Sequence, residues 1–280
     1  MLNALSVDIE DWFQVGAFEN VISRDSWDAL PCRVERNSEA VLALFARADV
    51  KATFFILGWV AERHPALVRR IAEAGHEIAS HGWDHRRVSA MNASEFASDL
   101  DRAGRAIASA CGIVPRGYRA PSFSIDERTP WAHQVLAEQH YVYSSSVAPL
   151  KHDHYGWPEA PRFAHCPVPG SDLIELPVTT VAIGGKRLAA GGGFFRLLPL
   201  AFSSWAIDRM NRIEERPAVF YFHPWEIDPG QPRVARAPLK SRFRHYSRLS
   251  SMEAKLAKLL RRHQWGRTDA VVAHERERLQ

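Results

Sequence analysis

The sequence predicts a parallel α/β fold built around one large core, on three observations. Apolar runs of strand length alternate with helix-periodic segments along nearly the whole chain. Polar residues collect at or just past the C-terminal ends of those runs, where a parallel barrel builds its active site. The chain of 280 residues, 46% hydrophobic and 24% charged, is long enough to fill such a core and ordinary enough in composition to be globular.

The elements follow in order. NALSVDI at 3–9 reads as a strand that ends in acids. SEAVLALFARA at 38–48 has helical periodicity with Ser38 as its N-cap, and KATFFILG at 51–58 returns to strand character. WVAERHPALVRRIAEAG at 59–75 reads as one amphipathic helix closing at Gly75, and HEIAS at 76–80 as a strand with His81 just beyond it. ASEFASDLDRAGRAIASACG at 93–112 is helical, GYRAP marks a strand end, and RTPWAHQVLAEQ at 128–139 is helical again. YVYSSS and DLIELPVT (172–179) are two further strands, LLPLAFSSWAIDRMNRIEE (197–215) a helix, and PAVFYFHP (217–224) a strand up to His223. A basic helix at 250–263 precedes a last short strand at DAVVAH. Pro-, His- and Gly-rich stretches near 146–171 and 180–196 read as rim insertions in a single domain spanning 1–280. Within them AAGGGFF lacks the spacing of a phosphate loop and reads as a flexible rim segment.

Three unpaired cysteines, Cys32, Cys111 and Cys166, form no CxxC and fit a reducing compartment. MLNALSVDIEDWF lacks a basic leader region, and no apolar run reaches bilayer length. The expectation is a cytoplasmic protein, peripheral to the inner membrane if it attaches at all. From Arg233 to Arg262 ten Lys or Arg stand against one acid, Glu253, so this C-terminal extension is a solvated basic face or meets an anionic surface or a polysaccharide-synthesis complex. No nucleic-acid motif accompanies the charge, and no such partner is expected.

HGWDH places His81 and His85 four apart after a strand, a spacing that suits a shared divalent cation if an acid joins them. SVDIED supplies acids: in a strand, residues i and i+2 share a face, so Asp8 and Glu10 project together and Asp11 turns away or starts the next loop. One acid can hold the cation while the other stays free as a base. Arg119, Glu175 and His223 fall at the same end of the predicted sheet.

SVDIED, TFFILG, AGHEIASHGWDH, YRAPSFS and FYFHPWE, in this order, resemble the polysaccharide deacetylases of the NodB-homology type, carbohydrate esterase family 4. HDHYGWPEAPRF, GGGFFRLLP and FYFHPWEIDPGQPR look like the branch found in exosortase-associated exopolysaccharide clusters. The resemblance implies a distorted parallel (β/α) barrel of about seven strands. It implies Asp8 as catalytic base, Arg119 as the arginine that orients it, and His223 as general acid. Glu10, His81 and His85 would hold a divalent metal ion, with zinc the default and cobalt, nickel or manganese alternatives. In much of the family the metal-binding acid directly follows the base; Ile9 stands there, so Glu10 takes the part and Asp11 is its rival. Ser144 occupies a place where the family often has an acid, and Glu175, Glu226 and Asp228 are candidates to replace it.

The implied reaction is hydrolysis of an N-acetyl group on an N-acetylated glycan, within exopolysaccharide biosynthesis. Trp12, Phe13, Trp83, Phe123 and Trp225 adjoin the site residues and can face a sugar ring or pack in the core. Two other readings keep the same scaffold: a hydrolase of a small cyclic imide or ureide, and a catalytically silent glycan-binding module. An acid–base pair beside a cation set favours the deacetylase.

Overall fold

The computed structural model describes residues 1–153 and 155–279 and is organised by a curled parallel sheet. Its strands are β1 (Leu2–Ile9), β2 (Thr53–Ile56), β3 (Glu77–Ser80), β4 (Gly117–Tyr118), β5 (Tyr143–Ser144) and β6 (Ile174–Glu175). An antiparallel hairpin, β7 (Thr180–Ile183) and β8 (Lys186–Ala189), precedes β9 (Val219–Phe222) and β10 (Gln264–Gly266). β1 to β6 pair in succession, and β9 pairs with the other edge of β1. These seven parallel strands curl into the expected barrel. The seam between β6 and β9 is bridged where Thr179 N–H donates to Val219 O at 3.2 Å. β10 adds an eighth, short strand beside Leu2–Ala4.

Period-two alternation assigns the two faces of β1. Leu5, Val7 and Ile9 pack outward with Phe54, Ile56, Phe220 and Phe222 beneath the helices. Ala4 packs inward with Phe55, Tyr143 and Tyr221, and on that face Ser6 and Asp8 meet a fully buried arginine. The inner positions are polar only toward the C-terminal end of the strand, which leaves the site at that rim.

Several elements depart from the sequence reading. The first long helix runs Val34–Ala48, and Ser38 lies buried inside it instead of capping it. The cap comes from a distant residue: Asp11 Oδ2 accepts from Arg33 N–H at 2.5 Å and Val34 N–H at 2.9 Å. The 59–75 helix is two, Gly58–Arg63 and Pro65–Glu73, because Pro65 has no N–H to continue the ladder. DAVVAH is not a strand but lies in a helix, Thr268–Leu279. Adjacent valines read as strand, yet the first N–H groups of this helix find acceptors on the barrel floor. Thr268 N–H donates to Thr53 Oγ1 at 2.6 Å and Asp269 N–H to the Glu77 carboxylate at 3.0 Å.

AAGGGFF is no flexible rim either. It leads into a helix, Gly192–Leu197, laid against β9. A Cβ on Gly192, where φ is +55°, would sit 2.6 Å from Tyr221 Oη, and one on Gly191 would sit 2.9 Å from Tyr221 O. The glycines permit close approach of backbone to sheet. Among the described residues no helix is long and apolar enough to cross a membrane.

Candidate active site

The C-terminal rim of the barrel opens into a cavity of about 410 Å³ lined by Asp8, Glu10, His81, His85, His223 and Trp225 among others. Each proposed side chain arrives at the end of a strand. Asp8 is the penultimate residue of β1, Glu10 follows it, His81 follows β3, Arg119 follows β4 and His223 follows β9.

Glu10, His81 and His85 offer ligand atoms that all lie within 4.8 Å of one another. His81 Nδ1 is 2.8 Å from Arg119 O, so it donates its proton there and Nε2 faces the cavity with a free lone pair. Burial pushes His81 down to about 4, despite the pull of Asp8, which keeps the imidazole neutral as a ligand must be. His85 adopts φ of +60°, a left-handed conformation that turns its ring back toward Glu10. Its Nε2 lies 2.7 Å from Glu10 Oε2, yet that buried oxygen has no aligned hydrogen-bond partner. Two such atoms 2.7 Å apart, with a His81 nitrogen within 4.8 Å of both, fit a shared cation. Burial would raise the pKa of Glu10, but His85 and His223 hold its carboxyl below the usual range. Its other oxygen accepts from Trp225 Nε1 at 3.0 Å, which fixes its orientation.

Asp11 is not part of this group. Fully buried, it faces the other way and serves Trp12 N–H (2.7 Å), Arg33 and Val34 as a cap.

Arg119 lies over the Phe55 ring, its guanidinium carbon 4.1 Å from the centroid. Nη1 donates to Asp8 Oδ1 and Ser6 Oγ, both at 2.7 Å, while Nε and Nη2 are held by Ser145 O (3.0 Å) and Ser145 Oγ (2.9 Å). Asp8 is thus clamped on one oxygen, and its other oxygen lies 3.8 Å from His223 Nε2.

His223 Nδ1 is 2.8 Å from Glu226 Oε1, which orients Nε2 to the cavity. Burial opposes charge on this imidazole, but Glu10, Glu226 and Asp8 together push it up to about 9. The three acids weighed as replacements at Ser144 therefore separate by contact. Glu175 ties His133 (3.0 Å) and the N–H groups of Ser146 and Val147 (both 2.9 Å), away from His223. Asp228 pairs with Arg33 and Arg36. Glu226 alone of the three touches His223. Its spacing is legible in retrospect, since Glu three residues after a cap position, with Pro224 between, is a capping box. Trp225 as a second holder of Glu10 and Arg196 as partner of Glu226 escaped the sequence reading.

The aromatics divide. Trp12 and Phe13 pack in the outer core with Trp27 and Trp59, whereas Phe123 and Trp225 line the cavity. Trp83 is covered by Arg102, 3.6 Å from its ring.

Two family models and several known proteins match the chain. The family described as polysaccharide deacetylase matches residues 25–142, which include His81, His85 and Arg119. A family described as a domain of unknown function (DUF3473) matches residues 145–273, which include His223. Asp8 and Glu10 precede both matches. A chitooligosaccharide deacetylase from Bradyrhizobium is 38% identical over 98 residues, 35% of this chain and 42% of that protein. The peptidoglycan-N-acetylglucosamine deacetylase PgdA of Listeria monocytogenes is 33% identical over 88 residues, 31% of this chain and 19% of that protein. The chain thus matches less than half the length of either. A Mycobacterium smegmatis protein described as a polysaccharide deacetylase has the same fold, with a TM-score of 0.64 at 20% identity over 99% of this chain and 91% of its own. So has the allantoinase PuuE, with a TM-score of 0.60 at 15% identity over 97% of this chain and 88% of its own.

Proposed function

We propose, from the match of residues 25–142 to the polysaccharide deacetylase family and the likeness to a chitooligosaccharide deacetylase, that the chain is a metal-dependent hydrolase that removes N-acetyl groups from a polysaccharide or oligosaccharide during exopolysaccharide synthesis. One observation carries the reading. A cation-ready Glu10–His81–His85 group, a carboxylate clamped by Arg119 and an imidazole held by Glu226 converge on one cavity. The donor set of two imidazoles and a carboxylate suits zinc, with cobalt, nickel or manganese as alternatives.

When bound, the cation supplies Lewis acidity toward the acetamide carbonyl and toward a water. Asp8, held by Arg119 and Ser6, takes the proton of the attacking water through the oxygen that Arg119 leaves free. His223 delivers a proton from Nε2 to the departing amine, which cannot leave as an anion. Glu226 holds Nδ1 throughout, so the imidazole keeps one orientation. Acetate and an amino sugar result. A cavity of about 410 Å³ lies at the small end of ligand sites, so it accommodates the reacting sugar and little more, with Phe123 and Tyr155 in its lining.

The test incubates cation-loaded protein with N-acetylated oligosaccharides of defined length and follows acetate. Release from glycans and none of hydrolysis products from allantoin is the expected result. Allantoin turnover without acetate would move the activity to cyclic ureides, and glycan binding with neither product would make this a silent module.

The basic extension supports a setting at the inner membrane. Leu239 and Phe243, 79% and 67% exposed, stand one turn apart on the helix Leu239–Tyr246, among Arg236, Lys240 and Arg242. That pattern suits an anionic surface presented by lipid or by a synthesis complex. Equal sedimentation with anionic and neutral vesicles would exclude the lipid.

A further inference from the structure

Arg196 is nearly as inaccessible as Arg119, only 2% exposed, and no step above uses it. Its guanidinium makes four hydrogen bonds. Nε donates to Glu226 Oε2 at 2.9 Å, Nη1 to His245 O at 2.6 Å and Ser247 O at 2.8 Å, and Nη2 to Arg244 O at 2.7 Å. The first bond reaches the carboxylate that holds His223. The other three close the C-terminal end of the helix Leu239–Tyr246, where carbonyls lack partners and a cation is favoured. That helix contributes Ser241, Arg244 and His245 to the cavity wall. Glu226 has no exposed surface, so Arg196 is the partner that satisfies Oε2 in the folded protein.

The segment that carries Arg196 is built to put it there. Gly191 and Gly192 let the helix Gly192–Leu197 lie on Tyr221, where any side chain would collide. At the far end Lys255 donates its ammonium to the carbonyls of Phe195 and Leu198. The helix is pinned at both ends with Arg196 directed inward, beside Trp225 at 5.4 Å.

We infer that Arg196 is a positioning residue with two outputs: it fixes Glu226, and through it the orientation of His223, and it locks the Leu239–Tyr246 wall of the substrate cavity. The catalytic part rests on the deacetylase reading; the structural part does not. A planar fork is needed for both outputs, because one ammonium cannot reach a carboxylate and three carbonyls at once. The arrangement joins the acid that finishes the reaction to the wall that encloses the sugar, so displacement of either is felt by the other.

Arg196→Lys, Glu226→Gln and the double variant test this, compared on an acetamide glycan and on an activated aryl acetate whose leaving group needs no proton. Glu226→Gln keeps the three carbonyl bonds of Arg196, so kcat on the glycan should fall about 10²-fold with KM unchanged and the ester little affected. Arg196→Lys should show the same fall in kcat and also a raised KM for the glycan. In the double variant the two kcat losses should not multiply, since both act through one carboxylate. Equal losses on glycan and ester, or losses that multiply, would reduce Arg196 to a general structural role and overturn the inference. A readout independent of activity is the imidazole NMR spectrum of the metal-free protein. The His223 Nδ1–H proton, shielded and bound to Glu226, should be a downfield, slowly exchanging signal that both single variants lose. Persistence of that signal in folded Arg196→Lys protein refutes the inference whatever the substrate proves to be. A protein inactive on all glycans whose signal behaves as stated leaves the positioning role standing and removes the deacetylase reading.

Discussion

Exchange of Asp11 and Glu10 for alanine, one at a time, should have opposite consequences although the two acids are neighbours. Asp11 accepts from three backbone N–H groups: Trp12 and Val34, both buried, and Arg33, which is partly exposed. Asp11→Ala leaves two buried donors unpaired and the Val34–Ala48 helix without its cap. At about 1–3 kcal/mol for each unsatisfied buried group, with Arg33 N–H recovering a water, the loss is about 3–4 kcal/mol. An unfolding entropy of about 2.1 cal/mol/K per residue converts this, over a chain of this length, into a drop in Tm of roughly 5–7 °C. Cation affinity should survive, because no atom of Asp11 belongs to the Glu10–His81–His85 group. Glu10→Ala should abolish tight cation binding yet lower Tm by only about half as much, since it orphans a single buried donor, Trp225 Nε1. The assay is thermal unfolding in chelator, so that cation linkage does not enter Tm, together with calorimetric titration of zinc into each variant. Loss of zinc from Asp11→Ala at unchanged Tm, with zinc still bound by Glu10→Ala, would refute the assignment.

Asp8→Asn should bind the cation normally and lose on the order of 10²–10⁴-fold in turnover, because an amide cannot accept the water's proton; titration calorimetry beside acetate release checks both halves. His223 is protonated up to about 9 in the cation-free protein, and its raised pKa means that the acid form is present below that point and lost above it. The basic limb of the glycan pH–rate profile should therefore report it, shifted below 9 once a cation neutralises Glu10, and His223→Ala should flatten that limb while sparing aryl acetates. Chelation should abolish acetate release and zinc should restore it; full activity in cation-free protein would remove metal dependence. Gly192→Ala adds a methyl group 2.6 Å from Tyr221 Oη at φ +55°, so Tm should fall by a few degrees, consistent with about 1–3 kcal/mol of strain, and unchanged stability would show that the helix can lift from β9.

Much of the site was readable because its logic is local. The two-residue period of β1 places Asp8 and Glu10 on the cavity side of Ile9, and the spacing of HGWDH sets the two imidazoles after β3. What failed was equally physical. Ser38 looks like a cap in isolation, but Asp11 reaches the true helix start from 22 residues earlier. DAVVAH has strand composition, and the acceptors that make it a helix sit on Thr53 and Glu77. A glycine run reads as loose chain until Tyr221 is seen beneath it.

By itself the sequence determined the alternation of strand and helix, the parallel barrel, and the residues that crowd its C-terminal rim, because hydrophobic period and short motifs are properties of neighbours along the chain. Only the tertiary structure decided which acid lies with the histidines, which of the three candidate carboxylates touches His223, and that Arg196 underlies both His223 and the cavity wall. The first and last of those depend on atoms 30 to more than 200 residues apart meeting within hydrogen-bond reach, whereas Glu226 lies three residues from His223 and the fold had only to carry Glu175 and Asp228 elsewhere. No periodicity encodes such meetings; they arise when the sheet curls and the rim segments close over it.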